Sequence, residues 1–492
     1  MKTIIYKTLL LAVLTVLIPL QAYSERIAIE TPNTLLLLQV EREGDIRQLY
    51  YGMRLHENPM QMAIPEEKNA PSCMPCFGSV DLVELPALQV QHANGDQTLI
   101  LRIKDWEQHT LADGVQTTIR MYDAAYPIEV RVCYRAYKEV DIIETWIEIE
   151  HREKKDIILK RFDSGHLAIR QGNVWLTHLH GNWAAETIPV NEPLTKGLQV
   201  IRNTDGARNA HIDAPEVMLS LDGCPKENTG RVIGAALCWS GNYELRFNTW
   251  DNRYHHFYAG INPQASEYVL SPKQVFTTPK LALTYSDNGL GGVSRTFHRW
   301  ARYHGMVNQG DKVRKILLNS WEGIYFDITE ERIIDMIEDI SGMGGELFVM
   351  DDGWFGGKYQ RNSDNSSLGD WVVDKRKLPN GISALTNAAQ ANGIQFGIWI
   401  EPEATNTTSE LFERHPEWAL QVEGRELRLG RGGTQLVLDM TNPQVQDYVF
   451  SIVDNLLTEY PEIAYIKWDA NASIQNYGST YLPKHKQTNP KW

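Results

Sequence analysis

The alternation of apolar and polar residues changes its period near residue 312. From residue 25 to about residue 287, short runs such as 99–103 and 141–149 alternate between apolar and polar positions, and turn clusters such as Asn94-Gly95-Asp96 separate them. A period of two is typical of strands that bury one face. The pattern therefore predicts an all-β region over residues 25–287, organised as a large sandwich.

A glycine-rich break at residues 288–292 ends this pattern, and residues 293–303 are predicted to form a helix within a linker of residues 288–312. Beyond it, strands predicted at 316–319, 347–350, 395–400, 436–438 and 464–468 alternate with amphipathic helices. Asp327 and Asn442 are the predicted caps of two of those helices. Strands separated by helices pair in parallel through right-handed crossovers, so residues 313–492 are predicted to be α/β.

The predicted strands carry polar and aromatic residues at their carboxyl ends, and their amino ends carry nothing comparable. The four end segments are Asn319-Ser320-Trp321, Asp351-Asp352-Gly353-Trp354, Trp399-Ile400-Glu401-Pro402-Glu403 and Lys467-Trp468-Asp469. This asymmetry is typical of a (β/α)8 barrel, whose active site lies at the carboxyl ends of the strands. Strand parity places Gly397, Trp399 and Glu401 on one face, where Trp399 would form an apolar floor.

The segment 464–469 is predicted to be a buried strand with one apolar and one functional face. Lys467 and Asp469 are two residues apart on the same face, so the ammonium should favour the ionised carboxylate of Asp469. A nucleophilic carboxylate needs that state. The alternative for this pair, and for Asp351 and Asp352, is a structural role in an ion pair or a cap.

The ends and the charge of the chain constrain location and partners. Residues 1–24 have the pattern of a secretory signal, with Lys2 and Lys7 before an apolar run. We expect cleavage near Glu25 and export to the periplasm or beyond, with an uncleaved anchor as the alternative. No later segment approaches the roughly 20 apolar residues of a membrane span. The net charge of −14 argues against a nucleic-acid partner.

The five cysteines all lie in the first half of the chain, and the pair Cys73 and Cys76 has CxxC spacing. No second CxxC or neighbouring histidine pair completes a zinc set, and the His178-x-His180 pair stands alone. We therefore predict neither a metal nor a cofactor. Carboxylates and tryptophans without a phosphate loop or a Ser/His arrangement favour a sugar-cleaving site, since carboxylates bind hydroxyls and aromatic faces stack on a pyranose.

Six ordered segments resemble the bacterial α-galactosidases of glycoside hydrolase family 36. They are 318–326 (LNSWEGIYF), 348–356 (FVMDDGWFG), 366–381 (SSLGDWVVDKRKLPNG), 396–403 (FGIWIEPE), 435–439 (QLVLD) and 465–471 (YIKWDAN). The resemblance implies an amino-terminal β-supersandwich, a (β/α)8 barrel, hydrolysis of terminal α-galactosides with retention of configuration, and a homo-oligomer.

The same resemblance assigns roles to individual residues. Asp469 would be the nucleophile, while Asp351 and Asp352 would bind the galactose hydroxyls remote from the reacting carbon. Lys467 and Asn471 would bind further hydroxyls, and Trp321 and Trp399 would wall the pocket. Arg431 would correspond to a family arginine, although its spacing to Gln435 differs from the family pattern.

The chain departs from the family pattern after Asp469. The family's acid/base aspartate lies several tens of residues beyond the nucleophile, past residue 492, and Ala470 and Ala472 stand where the family carries Met and Arg. Residues 313–492 are also fewer than the roughly 250 residues of a complete barrel. We therefore expect a truncated chain with an incomplete barrel and no carboxy-terminal β domain. The alternatives are an impaired sugar-binding remnant, an α-N-acetylgalactosaminidase or a galactosyl transferase.

Overall fold

The computed structural model describes residues 24–41, 44–55, 58–61, 64, 69–79, 84–208, 210–308, 310–474 and 478–489. The predicted signal therefore lies outside the described residues, except for Ser24 at the start of the first strand. Among the described residues, no helix is both long and apolar enough to cross a membrane.

The amino-terminal region is built from nineteen described strands, as the period of two predicts. They are β1 (Ser24–Glu30), β2 (Thr34–Glu41), β3 (Ile46–Met53), β4 (Leu88–Gln91), β5 (Leu101–Thr110), β6 (Gly114–Asp123), β7 (Ile128–Tyr137), β8 (Ile143–His151), β9 (Ile157–Arg170), β10 (Trp175–His180), β11 (Ile188–Pro193), β12 (Gly197–Arg202), β13 (Asp213–Ser220), β14 (Val232–Cys238), β15 (Tyr243–Thr249), β16 (Tyr254–Ile261), β17 (Tyr268–Leu270), β18 (Val275–Thr277) and β19 (Lys280–Ser286).

Two large antiparallel sheets form the body of this domain. One has ten strands in the order β11-β10-β13-β14-β19-β8-β7-β6-β5, with β18 beside β8, and the other has the order β12-β15-β16-β9-β17, with β4 beside β9. Their inner faces share an apolar core in which Leu167 and Phe257 of one sheet pack with Leu219 and Leu283 of the other. The predicted sandwich is confirmed, and a three-stranded sheet β1-β2-β3 joins it.

The linker helix α1 (Gly289–Trp300) begins four residues before the predicted start and continues as a π-helical turn, Ala301–Gly305. Its buried Val293 packs on the sheet at Gly234, where an added Cβ would lie 2.3 Å from a Val293 methyl carbon. This close approach fixes α1 against strands β14 and β19.

The carboxy-terminal region contains a parallel sheet of strands and crossover helices. Its elements are β20 (Leu317–Asn319), α2 (Trp321–Ile324), α3 (Glu330–Gly342), β21 (Leu347–Met350), α4 (Ile382–Ala391), β22 (Gln395–Ile400), β23 (Ala404–Asn406), α5 (Glu410–Arg414), β24 (Gln435–Val437), α6 (Pro443–Glu459) and β25 (Ile463–Trp468). The parallel sheet has the order β20-β21-β22-β25. Ile333, Leu385 and Leu456 of the three longer helices contribute to its buried core.

Two predicted helix caps differ in outcome. The Asn442 side chain accepts the N–H of Gln444 at the start of α6, with Pro443 in the first helical position, as predicted. The predicted Asp327 cap is wrong, because Thr329 caps α3 by accepting the N–H of Arg332. The carboxylate of Asp327 instead accepts a hydrogen bond from the guanidinium of Arg332. It therefore binds a side chain and not a backbone N–H of the helix.

Two strand predictions are corrected. The strand predicted at 436–438 is not part of the parallel sheet, because β24 pairs antiparallel with β23 within the long connection between β22 and α6. The strand ending at Asp469 is not buried: within the described chain β25 pairs with β22 alone, and Tyr465 and Trp468 are 44% and 46% exposed. An apolar run at a sheet edge has the same pattern as one in the centre.

Candidate functional site

The parallel register brings the predicted strand ends to one edge of the sheet. Met350 pairs with Ile398 and Ile400 pairs with Trp468, so the residues that follow these strands emerge side by side. Asp469 is held there because its own N–H donates to the carbonyl of Ile400, at 2.8 Å. The structure therefore brings together Asp351, Trp399, Glu401, Lys467 and Asp469.

The carboxylate of Asp469 accepts two N–H groups. The indole Nε1 of Trp399 donates to Oδ2 at 2.9 Å, and the backbone N–H of Ala470 donates to Oδ1 at 3.0 Å. These two donors fix the orientation of the carboxylate. Trp399 is 2% exposed, as expected of a floor, but it contributes a polar N–H in addition to an apolar face.

The carboxylate of Asp351 is buried and receives two donors on the same oxygen. Asn319 Nδ2 lies 2.6 Å from Oδ2 and Lys467 Nζ lies 2.7 Å from it. The ammonium thus pairs with Asp351 and not with Asp469, which corrects the expected pairing. The i, i+2 spacing placed Lys467 and Asp469 on one face, but the long lysine side chain reaches across β22 to the opposite strand end.

Asp352 is held in a buried ion pair with Arg361. Both carboxylate oxygens accept from the guanidinium, Oδ1 from Nε at 3.0 Å and Oδ2 from Nη2 at 2.7 Å, and Arg361 has no exposed surface. Burial raises the pKa of Asp352, an effect that Arg361 opposes. The side chain of Asp352 is therefore oriented by Arg361, a residue for which the sequence offered no role.

The remaining predicted residues surround this group at different depths. Trp321 is partly exposed, and its ring meets Tyr325 and Phe326 edge-on at 5.2 and 5.1 Å. Arg431 Nε lies 3.4 Å from Oδ2 of Asp364, and the other oxygen of that carboxylate, Oδ1, lies 3.5 Å from Nη2 of Arg361, so Asp364 connects Arg431 to the site. Asn471 contributes its backbone to the hydrogen bonds of the site.

Glu401, for which the sequence suggested no role, lies two residues beyond Trp399 on the same strand face. It is 1% exposed, and its Oε1 accepts the N–H of Asn471 at 2.8 Å. Burial raises the pKa of Glu401 to about 7, and the charge of Asp469 adds to the effect. The parity that placed it beside Gly397 and Trp399 was the available signal.

The β domain contacts the segment that follows Asp469. The carbonyl of Asp205 accepts the N–H of Ile474 at 3.0 Å, and Arg208 Nη1 donates to the carbonyl of Asn471 at 3.3 Å. Gly206 lies between Asp205 and Arg208 and packs against Ile474. Its backbone N–H donates to Oδ1 of Asn242. The segment that carries Asp469 is therefore held by contacts with both domains.

We expect Gly206→Ala to weaken this contact. Its φ of +70° costs an alanine about 1–2 kcal/mol, and the added Cβ would lie 2.6 Å from Cβ of Ile474, which adds roughly 1–3 kcal/mol of overpacking. Gly393→Ala is the matched control, because Gly393 has φ of +71° and no atom within 4 Å of an added Cβ. Equal decreases in the free energy of unfolding, measured by urea denaturation of the two variants, would show that packing against Ile474 contributes nothing to stability.

The other candidate chemistry lies elsewhere. Among the residues that the structure describes, no group of three or more His, Cys, Asp and Glu side chains could hold a metal ion. Cys73 and Cys76 are buried free thiols, and burial raises the pKa of each well above its usual range. His180 Nδ1 lies 2.8 Å from Oδ1 of Asp213, and His178 Nδ1 lies 3.8 Å from the same oxygen. The HxH pair is therefore explained by its contacts with Asp213.

Two cavities flank the site without containing its carboxylates. One, of about 950 Å³, lies beside α6 and is lined by Trp371, Tyr448 and Tyr460. The other, of about 420 Å³, lies between the domains and is lined by Ala207, Leu438 and Ala470. Lys467 and Asp469, on and just after the edge strand β25, are partly exposed, whereas Asp351, Trp399 and Glu401 are buried.

The chain matches the Glycosyl hydrolase family 36 N-terminal domain over residues 44–271 and the Melibiase domain over residues 275–492. The α-galactosidase AgaA of Geobacillus stearothermophilus is 32% identical over 486 residues, which cover 92% of this chain and 65% of that enzyme. Alpha-galactosidase C of Emericella nidulans is 32% identical over 371 residues, covering 74% and 49%. The chain thus spans about half to two thirds of the length of these curated relatives.

Solved structures agree with the sequence comparison. The crystal structure of AgaA superposes with a TM-score of 0.87 at 30% identity, covering 94% of this chain and 68% of that one. The α-galactosidase of Lactobacillus brevis gives a TM-score of 0.86 at 28% identity, covering 94% and 66%. Domain matches along nearly the whole chain and the shared fold lead to one assignment: the chain belongs to glycoside hydrolase family 36.

Proposed function

We propose that this chain acts as a retaining α-galactosidase that hydrolyses terminal α-D-galactosyl residues of oligosaccharides, with Asp469 as its nucleophile. The observation that carries the proposal is the Asp469 carboxylate, which two N–H donors hold at the sheet edge that also presents the buried Asp351. Charge-assisted hydrogen bonds from hydroxyls to Asp351 would orient a sugar there.

In the proposed reaction, one oxygen of Asp469 bonds to the anomeric carbon as the glycosidic C–O bond breaks. A nitrophenolate can leave without a proton, whereas the leaving oxygen of an oligosaccharide would be protonated by a second carboxyl group that is not among the site residues described above. Water then releases the sugar from Asp469 with the original configuration. Asp351, Asp352, Lys467 and Asn471 would bind hydroxyls of the galactosyl group, and Trp321 and Trp399 would enclose its ring.

The substrate class is supported by what is seen in a relative. AgaA variants of Geobacillus stearothermophilus have been crystallised in complex with stachyose, with raffinose and with 1-deoxygalactonojirimycin. The shared family and fold extend this substrate class to the present chain as an α-galactoside oligosaccharide. Arg431 would then act from the rim, through Asp364, on a sugar bound beyond the galactosyl group.

Export and assembly form part of the same proposal. A signal over residues 1–24 would direct export of the mature chain to the periplasm or the medium, where it would encounter oligosaccharide substrates. Cleavage before Glu25 would leave most of β1 in place, including the Glu25 carboxylate that accepts the indole N–H of Trp106 at 2.8 Å. A homo-oligomer is the proposed assembly, with no membrane or nucleic-acid partner for the mature form.

Release of the aryl group from 4-nitrophenyl α-galactoside by the purified chain tests the proposal, since a good leaving group needs little protonation. We expect the α-galactoside to be preferred over the α-glucoside by about 100-fold or more, because a site that binds a hydroxyl through buried polar groups rejects an epimer that leaves them unpaired. Release of galactose from raffinose is the second measurement.

The alternatives predict different outcomes of the same assay. Galactose binding without turnover of either substrate would favour a sugar-binding remnant. Faster turnover of the N-acetylgalactosaminide would favour the related hydrolase, and galactosyl products joined to an added acceptor would favour a transferase. Equal rates on the glucoside and the galactoside would contradict recognition of the sugar by Asp351 and Asp352.

A further inference from the structure

Glu401 is a buried carboxyl group in the site that the proposed hydrolysis does not use. It directly follows β22 and is 1% exposed. Its Oε1 accepts the N–H of Asn471 at 2.8 Å, while its buried Oε2 has no hydrogen-bond partner among the residues that the structure describes. A carboxyl group in this position has one donor for its four lone-pair sites.

The charges around Glu401 disfavour its ionised form. Burial raises the pKa of Glu401 to about 7, and the carboxylates of Asp469 and Asp352 add to the rise, while the N–H of Asn471 and the charge of Arg361 oppose it. Arg361 already donates two hydrogen bonds to Asp352 and is therefore committed to another carboxylate. An ionised Glu401 would add a further anion to a site that already contains Asp351, Asp352 and Asp469, and its unpaired buried oxygen would be costly to desolvate.

The position of Glu401 also links it to the nucleophile. The carbonyl of Ile400 accepts the N–H of Asp469, and the next residue along β22, Glu401, accepts the N–H of Asn471. These two bonds join the end of β22 to alternate residues of the turn that carries the nucleophile. Without the bond from Asn471, the turn would still be attached to β22 through the N–H of Asp469 and the indole of Trp399.

We propose that Glu401 works as a neutral carboxyl group, a positioning residue whose carbonyl oxygen holds the Asn471 N–H and so orients Asp469 without placing a second negative charge beside it. This inference rests on the proposed α-galactosidase function. It assigns to Glu401 neither the nucleophilic role nor the role of the acid that protonates the leaving group.

The geometry separates this role from that of a general acid. A general acid must come within about 3 Å of the oxygen that it protonates. Oε2 of Glu401 is buried, and Oε1 is used by a backbone N–H of the same site. The elevated pKa therefore follows from the enclosure of Glu401, and the neutral side chain acts on Asp469 through the backbone of the turn.

Two substitutions separate a neutral role from a charged one. Glu401→Gln keeps a carbonyl oxygen in the position of Oε1 and has no charge, so we expect it to stay within about fivefold of the wild-type kcat. Glu401→Ala removes the acceptor, and we expect a loss of about 100-fold in kcat, the size expected of a misplaced reacting group. Both the aryl α-galactoside and raffinose should show the same ratio.

The pH dependence gives a second kinetic readout. In the wild type, Glu401 is neutral below about pH 7 and becomes a buried anion above it, so kcat/KM should fall as the pH rises through about 7. Glu401→Gln cannot ionise and should lack this fall. A glutamine variant as inactive as the alanine variant would overturn the proposal, and so would a loss in Glu401→Gln confined to raffinose, which would identify a general acid.

An infrared measurement tests the protonation without any turnover. The difference spectrum of the wild type between about pH 5 and about pH 9 should contain a carboxylic acid C=O band that disappears through about pH 7. Glu401→Gln should lack the band and the control Glu403→Gln should keep it. A band that persists in Glu401→Gln overturns the proposal, whereas an inactive wild-type chain that shows the band contradicts the proposed function and not the neutral state of Glu401.

Discussion

Asp469→Ala is expected to lower the hydrolysis of an aryl α-galactoside by about 10⁴-fold or more, the size of loss seen when a nucleophile that forms a covalent intermediate is removed. The reason is geometric. Trp399 and Ala470 hold the carboxylate of Asp469 in one orientation at the open sheet edge, and no other described carboxylate receives the same two donors. The measurement is kcat/KM for both proteins, purified in parallel.

Rescue by azide tests whether the carboxylate removed in Asp469→Ala is the attacking group. In the alanine variant a small anion can occupy the position of the carboxylate and attack the anomeric carbon once, from the opposite side to the leaving group. We therefore expect azide to restore part of the activity of Asp469→Ala and to yield a β-galactosyl azide, while the wild type yields galactose. An α-configured azide would contradict attack from the position of Asp469.

Asp454→Ala is the matched control for this experiment, because Asp454 is an exposed aspartate on α6, away from the sheet edge. We expect it to have wild-type activity and no response to azide. Equal activity of Asp469→Ala and Asp454→Ala on the aryl galactoside would remove Asp469 from the mechanism. A 10⁴-fold loss in Asp469→Ala with unchanged urea stability would confirm that the lost group is chemical and not structural.

The sequence predicted the site best where a strong periodicity fixed direction. Parallel strands place their carboxyl ends at one edge, so Asp351 and Asp469 could be grouped from strand order alone. Parity then selected Trp399 as an inward residue, and the structure buries it beside Asp469. Both arguments depend on the backbone and not on the details of packing.

Partners that depend on side-chain reach could not be predicted in the same way. Lys467 is two residues from Asp469 in sequence, yet its ammonium pairs with Asp351 across β22. Arg361 lies in the long connection after β21, where no period constrains direction, and its pairing with Asp352 follows from the tertiary fold. Glu401 was placed on the correct face, but its enclosure depends on Asn471 and on the segment that follows Asp469.

Errors in the strand predictions have a common cause. An apolar run of three to six residues specifies an extended segment but not its neighbours. β24 has such a run and pairs antiparallel with β23, and β25 has one and lies at an edge of the sheet. Ile466 of β25 is therefore only partly buried, and Trp468 is 46% exposed. Pairing depends on long-range contacts that the local pattern does not contain.

Arg361→Met is expected to produce the largest loss of stability, about 3–5 kcal/mol, because it leaves the buried carboxylate of Asp352 without its partner. The guanidinium is fully buried and also donates to the carbonyl of Ser366 at 3.0 Å and to Oδ1 of Asn406 at 3.1 Å. One side chain therefore connects the end of β21, the long connection after it and β23. Methionine keeps the apolar stem and removes every donor.

Arg332→Met is the matched control in the same domain. Arg332 pairs with Asp327, but both side chains are largely exposed, and an exposed ion pair contributes about 0–1 kcal/mol. Urea unfolding, with hydrogen exchange of peptides covering residues 347–352, would report on the carboxy-terminal sheet in each variant. Equal losses in Arg361→Met and Arg332→Met would show that Arg361 does not stabilise the domain through its buried pair.

A second substitution separates charge from packing in the loss caused by Arg361→Met. Asp352→Asn in the Arg361→Met background removes the unpaired charge while keeping the shape of the side chain, so we expect it to restore roughly half of the lost stability. If the penalty came instead from the lost donors to Ser366 and Asn406, the double variant would be as unstable as Arg361→Met alone. Because Asp352 lies next to Asp351, the restored protein should still hydrolyse an aryl galactoside more slowly than the wild type, since an amide binds a sugar hydroxyl more weakly than a carboxylate does.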